Sequence, residues 1–181
     1  MQLFEAAGAI VEPMQPFLTR GMLDGLDDFW RARAWADIGP LTPQERARIL
    51  PYIVHWAEGG RDLMGARVYA GMSQMRIIAD ATLRATQPYD IVLSPVAPVA
   101  AFPAEFASPV NDPAQPFEHI GFTLPFNMSE QPAISINAGY TQAGLPIGLQ
   151  ISGRRFDDVG VLAGAAWFET VRGPQRPWPL P

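Results

Sequence analysis

The stretch that decides the fold reads Gly144-Leu145-Pro146-Ile147-Gly148-Leu149-Gln150-Ile151-Ser152-Gly153. Its central residues, 147–151, form a short apolar run bounded by glycine and proline, a pattern that predicts a β-strand. A second run of this kind, Ala133-Ile134-Ser135-Ile136-Asn137, precedes it. Turn-forming residues at 139–145 separate the two runs, so we predict two strands joined by a hairpin-like connection.

The segments on either side of this hairpin predict helices and one further strand. Asp157-Asp158 is placed to cap a helix over 159–171, which Gly173-Pro174 would end. Upstream, helical spacing extends from about residue 62 to residue 86, and the apolar run 90–94 follows it. Helices therefore alternate with short strands. The sequence predicts the α/β class, with mixed sheet strands flanked by helices.

Three features of the first half of the chain carry further predictions. Residues 8–13 are expected to form a short strand closed by a proline. Thr42-Pro43-Gln44-Glu45 combines an N-cap threonine, a first-turn proline and a capping-box glutamate, so we predict a helix from there to about Ala57. Met72 and Met75 share one face of the long helix, and we expect that face to lie in the core.

The composition excludes several kinds of chemistry. All 13 basic residues are arginine, cysteine is absent, and there are two histidines. The chain therefore has no Schiff-base lysine, no Ser–Lys dyad, no cysteine nucleophile, no disulfide and no cysteine-based zinc site. Two histidines also make a multi-histidine metal site improbable, and we expect neither a metal ion nor a cofactor.

The charge and hydropathy patterns bear on partners and location. The net charge is −5 and the sequence pI is about 4.9, so no basic field is present to attract nucleic acid. The sequence has no apolar run long enough to span a bilayer and no charged region followed by an apolar core at its N-terminus. We expect a cytoplasmic protein that binds neither nucleic acid nor membrane.

Four blocks of sequence carry a resemblance to a known family. They are Tyr89-Asp90-Ile91-Val92-Leu93-Ser94-Pro95, Asn127-Met128-Ser129-Glu130-Gln131-Pro132-Ala133-Ile134-Ser135, Gly144–Gly153 and Arg155-Phe156-Asp157-Asp158. In this order they resemble the C-terminal part of amidase signature enzymes. The clear resemblance covers 89–172. We interpret 1–181 as the C-terminal portion of an amidase-like α/β domain that ends in a proline-rich tail at 174–181.

The sequence departs from the family at two positions within these blocks. Glu130 stands where the family usually has glycine, and Asn137 stands where it usually has proline. Glu130 would bring a carboxylate to the substrate mouth, and Asn137 restores a backbone donor that proline lacks. Both changes weaken any transfer of a substrate preference from the family.

The resemblance implies hydrolysis of amide C–N bonds by a lysine, a bridging serine and a nucleophilic serine in a Gly/Ser-rich stretch. This chain has no lysine, and its six serines lie apart from one another, at 73, 94, 108, 129, 135 and 152. We therefore assign no catalytic residue. We expect a catalytic N-terminal portion upstream of Met1, on a longer chain or on a separate one.

The expected role of this chain is to supply sheet scaffold and a substrate-pocket wall, without activity of its own. A small amide would bind only in the complete enzyme. Association with the missing N-terminal portion and formation of a homodimer both stay open. The alternative function is a stand-alone noncatalytic binding or assembly module derived from an amidase, which would hold a partner with its proline-rich loop and its tail around Trp178. For that tail, packing on its own protomer is the competing interpretation.

The candidate pocket residues come from two places in the sequence. Phe126, Asn127, Met128 and Ser129 match the segment that the family has near its acyl pocket. His119 follows the long proline-rich connection and could offer a polar group to a pocket wall. The competing interpretation of His119 is a structural histidine that is hydrogen-bonded to the backbone.

Overall fold

In the computed structural model, which describes residues 1–177, seven helices and three strands follow one another along the chain. The helices are α1 (Gln2–Ala6), α2 (Arg20–Ile38), α3 (Pro43–Arg46), α4 (Pro51–Glu58), α5 (Gly65–Thr86), α6 (Leu124–Ser129) and α7 (Asp158–Val171). The strands are β1 (Val92–Pro95), β2 (Ala133–Tyr140) and β3 (Pro146–Ser152). Within 1–177, no helix is long and apolar enough to cross a membrane.

The three strands form one antiparallel sheet in the order β1-β3-β2. Residues 141–145 connect β2 to β3, which confirms the predicted hairpin. Ile151 pairs with Ile134 on one side and Leu93 on the other, so one face of the sheet is apolar across all three strands. That face packs against Phe168 of α7 and against Phe4 of α1. The predicted α/β class is confirmed.

The helices α2, α5 and α6 form a second cluster around Leu26, Ile78 and Leu124, all of which are buried. Helices α2 and α5 meet backbone to backbone at Gly25 and Gly71. A Cβ atom added to Gly71 would lie 2.3 Å from the carbonyl oxygen of Gly25. Only glycine at position 71 allows this approach, because any side chain there would meet the backbone of α2.

A buried polar network joins this helical cluster to the sheet, and Gln131 is its centre. The Gln131 Nε2 donates to the carbonyl oxygen of Gly153 at 2.8 Å and to Thr86 Oγ1 at 3.2 Å. The Ser129 hydroxyl donates to Gln131 Oε1 at 2.9 Å. One amide side chain thus ties together the end of α5, the end of α6 and the residue that follows β3. These groups are satisfied inside the protein, as buried polar groups must be.

Two predicted elements of the first half are wrong. Residues 8–13 form no strand, because no neighbouring strand within 1–177 pairs with them. The helix predicted from Thr42 to Ala57 is two helices, α3 and α4, separated by residues 47–50. Pro51 begins α4 and forces Leu50 out of the helical region, with φ −53° and ψ 129°.

The predicted core face of α5 is correct at Met75 and wrong at Met72. Met75 packs against the cluster of Leu26 and Ile78, whereas Met72 is 54% exposed. The buried stripe of α5 follows Gly71, Ile78, Thr82 and Thr86. The contact with α2 determines which residues of α5 are buried, because the close approach of the two helices requires glycine at the crossing point. Met72 lies outside this contact.

The predicted capping box of α3 is present and lowers the pKa of Glu45. The Thr42 backbone N–H and hydroxyl both donate to Glu45 Oε2 at 2.8 Å, and these bonds favour the carboxylate form. The pKa of the Glu45 carboxyl group is therefore lower in the folded protein than in the unfolded chain. The ionised Glu45 carboxylate therefore stabilises the folded protein fully at pH values above the ordinary glutamate pKa. This stabilisation is lost as the pH falls through the pKa that Glu45 has in the folded protein.

We expect Thr42→Val to raise the pKa of Glu45, because it removes the hydroxyl donor and keeps the backbone donor. A pH titration of the Glu45 side-chain carbon by NMR measures this directly. Thr170→Val is the matched control, since the Thr170 hydroxyl donates to Trp167 and not to Glu45. An unchanged Glu45 titration in Thr42→Val would show that the hydroxyl has no effect on this carboxylate.

Candidate functional site

Residues 117–131, which we call the α6 segment, run between two surface cavities. The first, which we call the β1 groove, has a volume of about 510 Å³ and lies between β1 and residues 9–18. The second, which we call the aromatic cavity, has a volume of about 530 Å³ and lies between α2, α4 and the long connection that precedes the α6 segment. Both volumes are within the range of small-molecule sites in proteins.

The wall of the aromatic cavity is built from rings that contact one another. The ring of Phe117 lies edge-on to Trp30, with centroids 4.7 Å apart, and to Trp56, with centroids 5.8 Å apart. The Tyr52 hydroxyl, at the same cavity, is hydrogen-bonded to Ser108 and to the carbonyl of Asp112. The Tyr52 hydroxyl thus has its hydrogen-bond partners within the protein, and the aromatic rings give the cavity an apolar lining.

Arg31 connects the elements that form the wall of the aromatic cavity. Its guanidinium donates to Asp27 at 2.7 Å, to the carbonyl oxygen of Trp56 at 3.1 Å and to the carbonyl oxygen of Pro113 at 2.6 Å. The Trp56 indole N–H donates to the other oxygen of Asp27 at 2.8 Å. The side chains of Arg31 and Asp27 are 17% and 19% exposed. One charged pair therefore fixes α2, α4 and the long connection relative to one another.

His119 lines the aromatic cavity, and its Nδ1 atom is buried. Within residues 1–177, this nitrogen has no hydrogen-bond partner. Its ring lies edge-on to Phe102, with centroids 6.2 Å apart. The structure therefore gives no support to a histidine held at Nδ1 by the backbone. A buried polar atom without a partner costs free energy.

The β1 groove is the more apolar of the two cavities. Phe122 and Phe126 enter it from the α6 segment, opposite Ile10 and Phe17. Phe126 is 5% exposed and Phe122 is 37% exposed. Of the predicted pocket residues, Phe126 thus borders the β1 groove and His119 borders the aromatic cavity, so the α6 segment presents them to two different surfaces.

The other three predicted pocket residues serve the fold or face solvent. Asn127 is exposed, and its amide donates to the carbonyl oxygen of Thr123 at 3.0 Å. Met128 packs against the buried cluster of α2, α5 and α6. Ser129 is 2% exposed and belongs to the Gln131 network. The structure therefore does not bring the five predicted residues together around one cavity.

The two departures from the family pattern have local structural consequences. Glu130 ends α6 with φ +57°, a left-handed conformation in which glycine is unstrained, and its carboxylate pairs with Arg155. Asn137 lies at a β-bulge in β2, where its side chain accepts from the Gly139 N–H at 3.1 Å and donates to the Gly139 carbonyl at 3.2 Å. Both residues therefore shape the backbone.

The serines of the described chain do not form a nucleophilic site. No serine hydroxyl within 1–177 is hydrogen-bonded to a histidine. Ser94 accepts from Gln150 at 3.0 Å, Ser73 donates to its own helix, and the buried Ser152 hydroxyl has no partner. Residues 1–177 contain no group of three or more His, Asp or Glu side chains that could hold a metal ion.

The sequence reasoning missed four residues of the aromatic cavity. Three of them line it, Trp30, Tyr52 and Trp56, and Arg31 supports its wall. The aromatic residues come from α2 and α4, and they meet Phe117 only through the tertiary fold. One sequence pattern could have indicated part of this site: Asp27 and Arg31 are spaced as an i, i+4 ion pair beside Trp30 on one predicted helix.

The comparisons with known proteins show the family of this chain and agree with its fold. A model of the amidase family matches residues 35–162. One glutamyl-tRNA(Gln) amidotransferase subunit, from Novosphingobium aromaticivorans, is 34% identical over 155 residues, which are 84% of this chain and 30% of that protein. The corresponding protein of Myxococcus xanthus is 42% identical over 93 residues, which are 51% of this chain and 19% of that protein. A crystal structure of an amidase matches the fold with a TM-score of 0.78 at 20% identity, over 95% of this chain and 40% of that chain.

The structure is an α/β scaffold with two surface cavities along one helical segment. The extent of the family match settles the class: the chain belongs to the amidase family. It spans less than a third of the length of the two curated relatives described above.

Proposed function

We propose that this chain supplies the C-terminal portion of an amidase-family domain, as sheet scaffold and as one wall of the pocket for a small amide. The observation that carries the proposal is the match of residues 35–162 to the amidase family in a chain without lysine. Arginine could not take the place of a proton-accepting lysine, because its guanidinium stays protonated. The proton transfer of the family therefore requires residues from outside this chain.

The two cavities along the α6 segment support the role of a pocket wall. Phe126 and His119 are the two predicted pocket residues that border them. An apolar lining with a few polar groups is the usual composition of a small-molecule site. Phe126 would contact the acyl part of the amide from the β1 groove, and His119 would be part of the wall of the other cavity.

The partner in this proposal is an amidase-family polypeptide that carries the catalytic residues. Both curated relatives are subunits of an amidotransferase by their names, which supports a family fold that works within an assembly. A small linear amide is the proposed substrate of the assembled enzyme. Phe126 is proposed to contact it only in that assembly.

Ammonia release from linear primary amides tests the proposal. The panel runs from acetamide to hexanamide and includes glutamine. The partner is the part of the Novosphingobium aromaticivorans protein that lies outside its 155 matched residues, expressed as a separate chain. We expect no ammonia from this chain alone and measurable release from the mixture. Release by this chain alone would contradict the proposal, and so would a mixture that forms a complex but releases none.

A further inference from the structure

One side of α5 is exposed and carries large apolar side chains. We call this side, formed by Tyr69, Met72, Arg76, Ile77 and Asp80, the outer face of α5. Tyr69 is 74% exposed, Met72 54% and Ile77 44%. The buried stripe of α5, which contacts α2, lies on the opposite side of the helix. Exposed apolar side chains grouped on one helix face are typical of an interaction surface.

The two charged residues of the outer face are available to a partner. Arg76 and Asp80 are one helical turn apart, but their nearest charged atoms are 3.9 Å from each other. Their side chains are 89% and 51% exposed. Arginine before aspartate is also the less favourable order for an ion pair within a helix. Within 1–177, neither side chain takes part in a hydrogen bond or in another ion pair.

The order of these charges matches a second copy of the same helix. In two antiparallel α5 helices, a two-fold axis halfway between Arg76 and Asp80 places each Arg76 opposite the partner's Asp80, so two ion pairs form. Ile77 lies beside that axis and would contact the partner's Ile77. A parallel pair would instead place Arg76 opposite the partner's Arg76. The charges therefore favour the antiparallel arrangement and oppose the parallel one.

We propose that the outer face of α5 is a homodimer interface, in which two copies of this chain pair through antiparallel α5 helices. An interface that uses one helix of each chain is small, so the dimer forms reversibly. Among the described residues that line the two cavities, none belongs to α5. The inference therefore goes beyond the proposed function and does not depend on ammonia release.

Analytical ultracentrifugation of the full chain tests the dimer. Protein concentrations between about 1 μM and 1 mM cover the range of weak association. We expect the average mass to rise with concentration from that of the 19.8 kDa monomer toward twice this value. A chain that stays monomeric over the whole range would overturn the inference.

Charge reversals locate the interface. Arg76→Asp and Asp80→Arg each place like charges opposite one another, so we expect either change alone to weaken the dimer about tenfold or more. Both changes in one chain restore the two ion pairs and should restore the dimer. Asp62→Arg is the matched control for Asp80→Arg, because Asp62 is 86% exposed and lies outside α5. A dimer that neither single reversal weakens would overturn the inference.

A mixture of the two single variants separates pairing from loss of folding. The Arg76→Asp chain has two acidic groups on its outer face, and the Asp80→Arg chain has two arginines at the same positions. In an antiparallel pair, these groups lie opposite one another as two ion pairs. We expect the mixture to form a heterodimer at concentrations at which each variant alone is monomeric. A mixture that stays monomeric at those concentrations would overturn the antiparallel pairing.

Discussion

Replacing Gly71 with alanine should destabilise the protein strongly, although it adds a single methyl group. The new Cβ would lie 2.3 Å from the carbonyl oxygen of Gly25, in the backbone of α2 and not in a flexible side chain. Helices α2 and α5 must then separate, and the cluster of Leu26 and Ile78 between them loses its packing. We expect the free energy of unfolding to fall by about 2–3 kcal/mol, measured by urea denaturation.

The control for this prediction is the same substitution at Gly21, which also lies on α2 and has no atom within 4 Å of an added Cβ. Gly21→Ala should leave the stability unchanged or raise it by up to about 1 kcal/mol, because alanine favours helix. Similar effects of the two substitutions would show that the close approach of α2 and α5 at Gly71 is not required.

Replacing Arg31 with alanine should loosen the wall of the aromatic cavity. The change leaves Asp27 without its charge partner and the carbonyl oxygens of Trp56 and Pro113 without donors. The pair is mostly but not fully buried, so the cost is less than for a fully buried pair. We expect a loss of about 2–3 kcal/mol of stability in urea denaturation. Amide exchange should also become faster around Pro113.

Arg33→Ala is the matched control for the Arg31 substitution. Arg33 lies on the same helix and borders the same cavity, but within 1–177 its side chain takes part in no ion pair or hydrogen bond. Its replacement should change the stability by less than about 0.5 kcal/mol. If Arg31→Ala were as mild as Arg33→Ala, the three hydrogen bonds of Arg31 would not be what fixes the long connection.

Local patterns in the sequence were sufficient to predict the hairpin, the helix cap and the fold class. The apolar run at 147–151 and the turn residues before it depend on neighbours within a few positions, and so does the capping box at Thr42. The strand predicted at 8–13 is wrong because a strand requires a partner, and the described residues supply none. Its apolar side chains line the β1 groove instead.

The candidate site could be predicted only in part, because it depends on contacts between distant residues. Phe126 was predicted from the match of its segment to the family, and His119 from its position after the long proline-rich connection. The approach of Trp30 and Trp56 to Phe117 was not predictable, since it arises from the packing of α2 against α4. The exposure of Met72 follows from the contact at Gly71, which no short-range pattern indicates.

We propose that this chain has an amidase-family scaffold without a nucleophile. Incubation of the purified chain with a fluorophosphonate, followed by intact-mass spectrometry, tests it most directly, because such reagents label activated serines. We predict no mass increase, since the chain has no lysine and no serine hydroxyl within 1–177 is hydrogen-bonded to a histidine. Stoichiometric labelling at any of the six serines would contradict it.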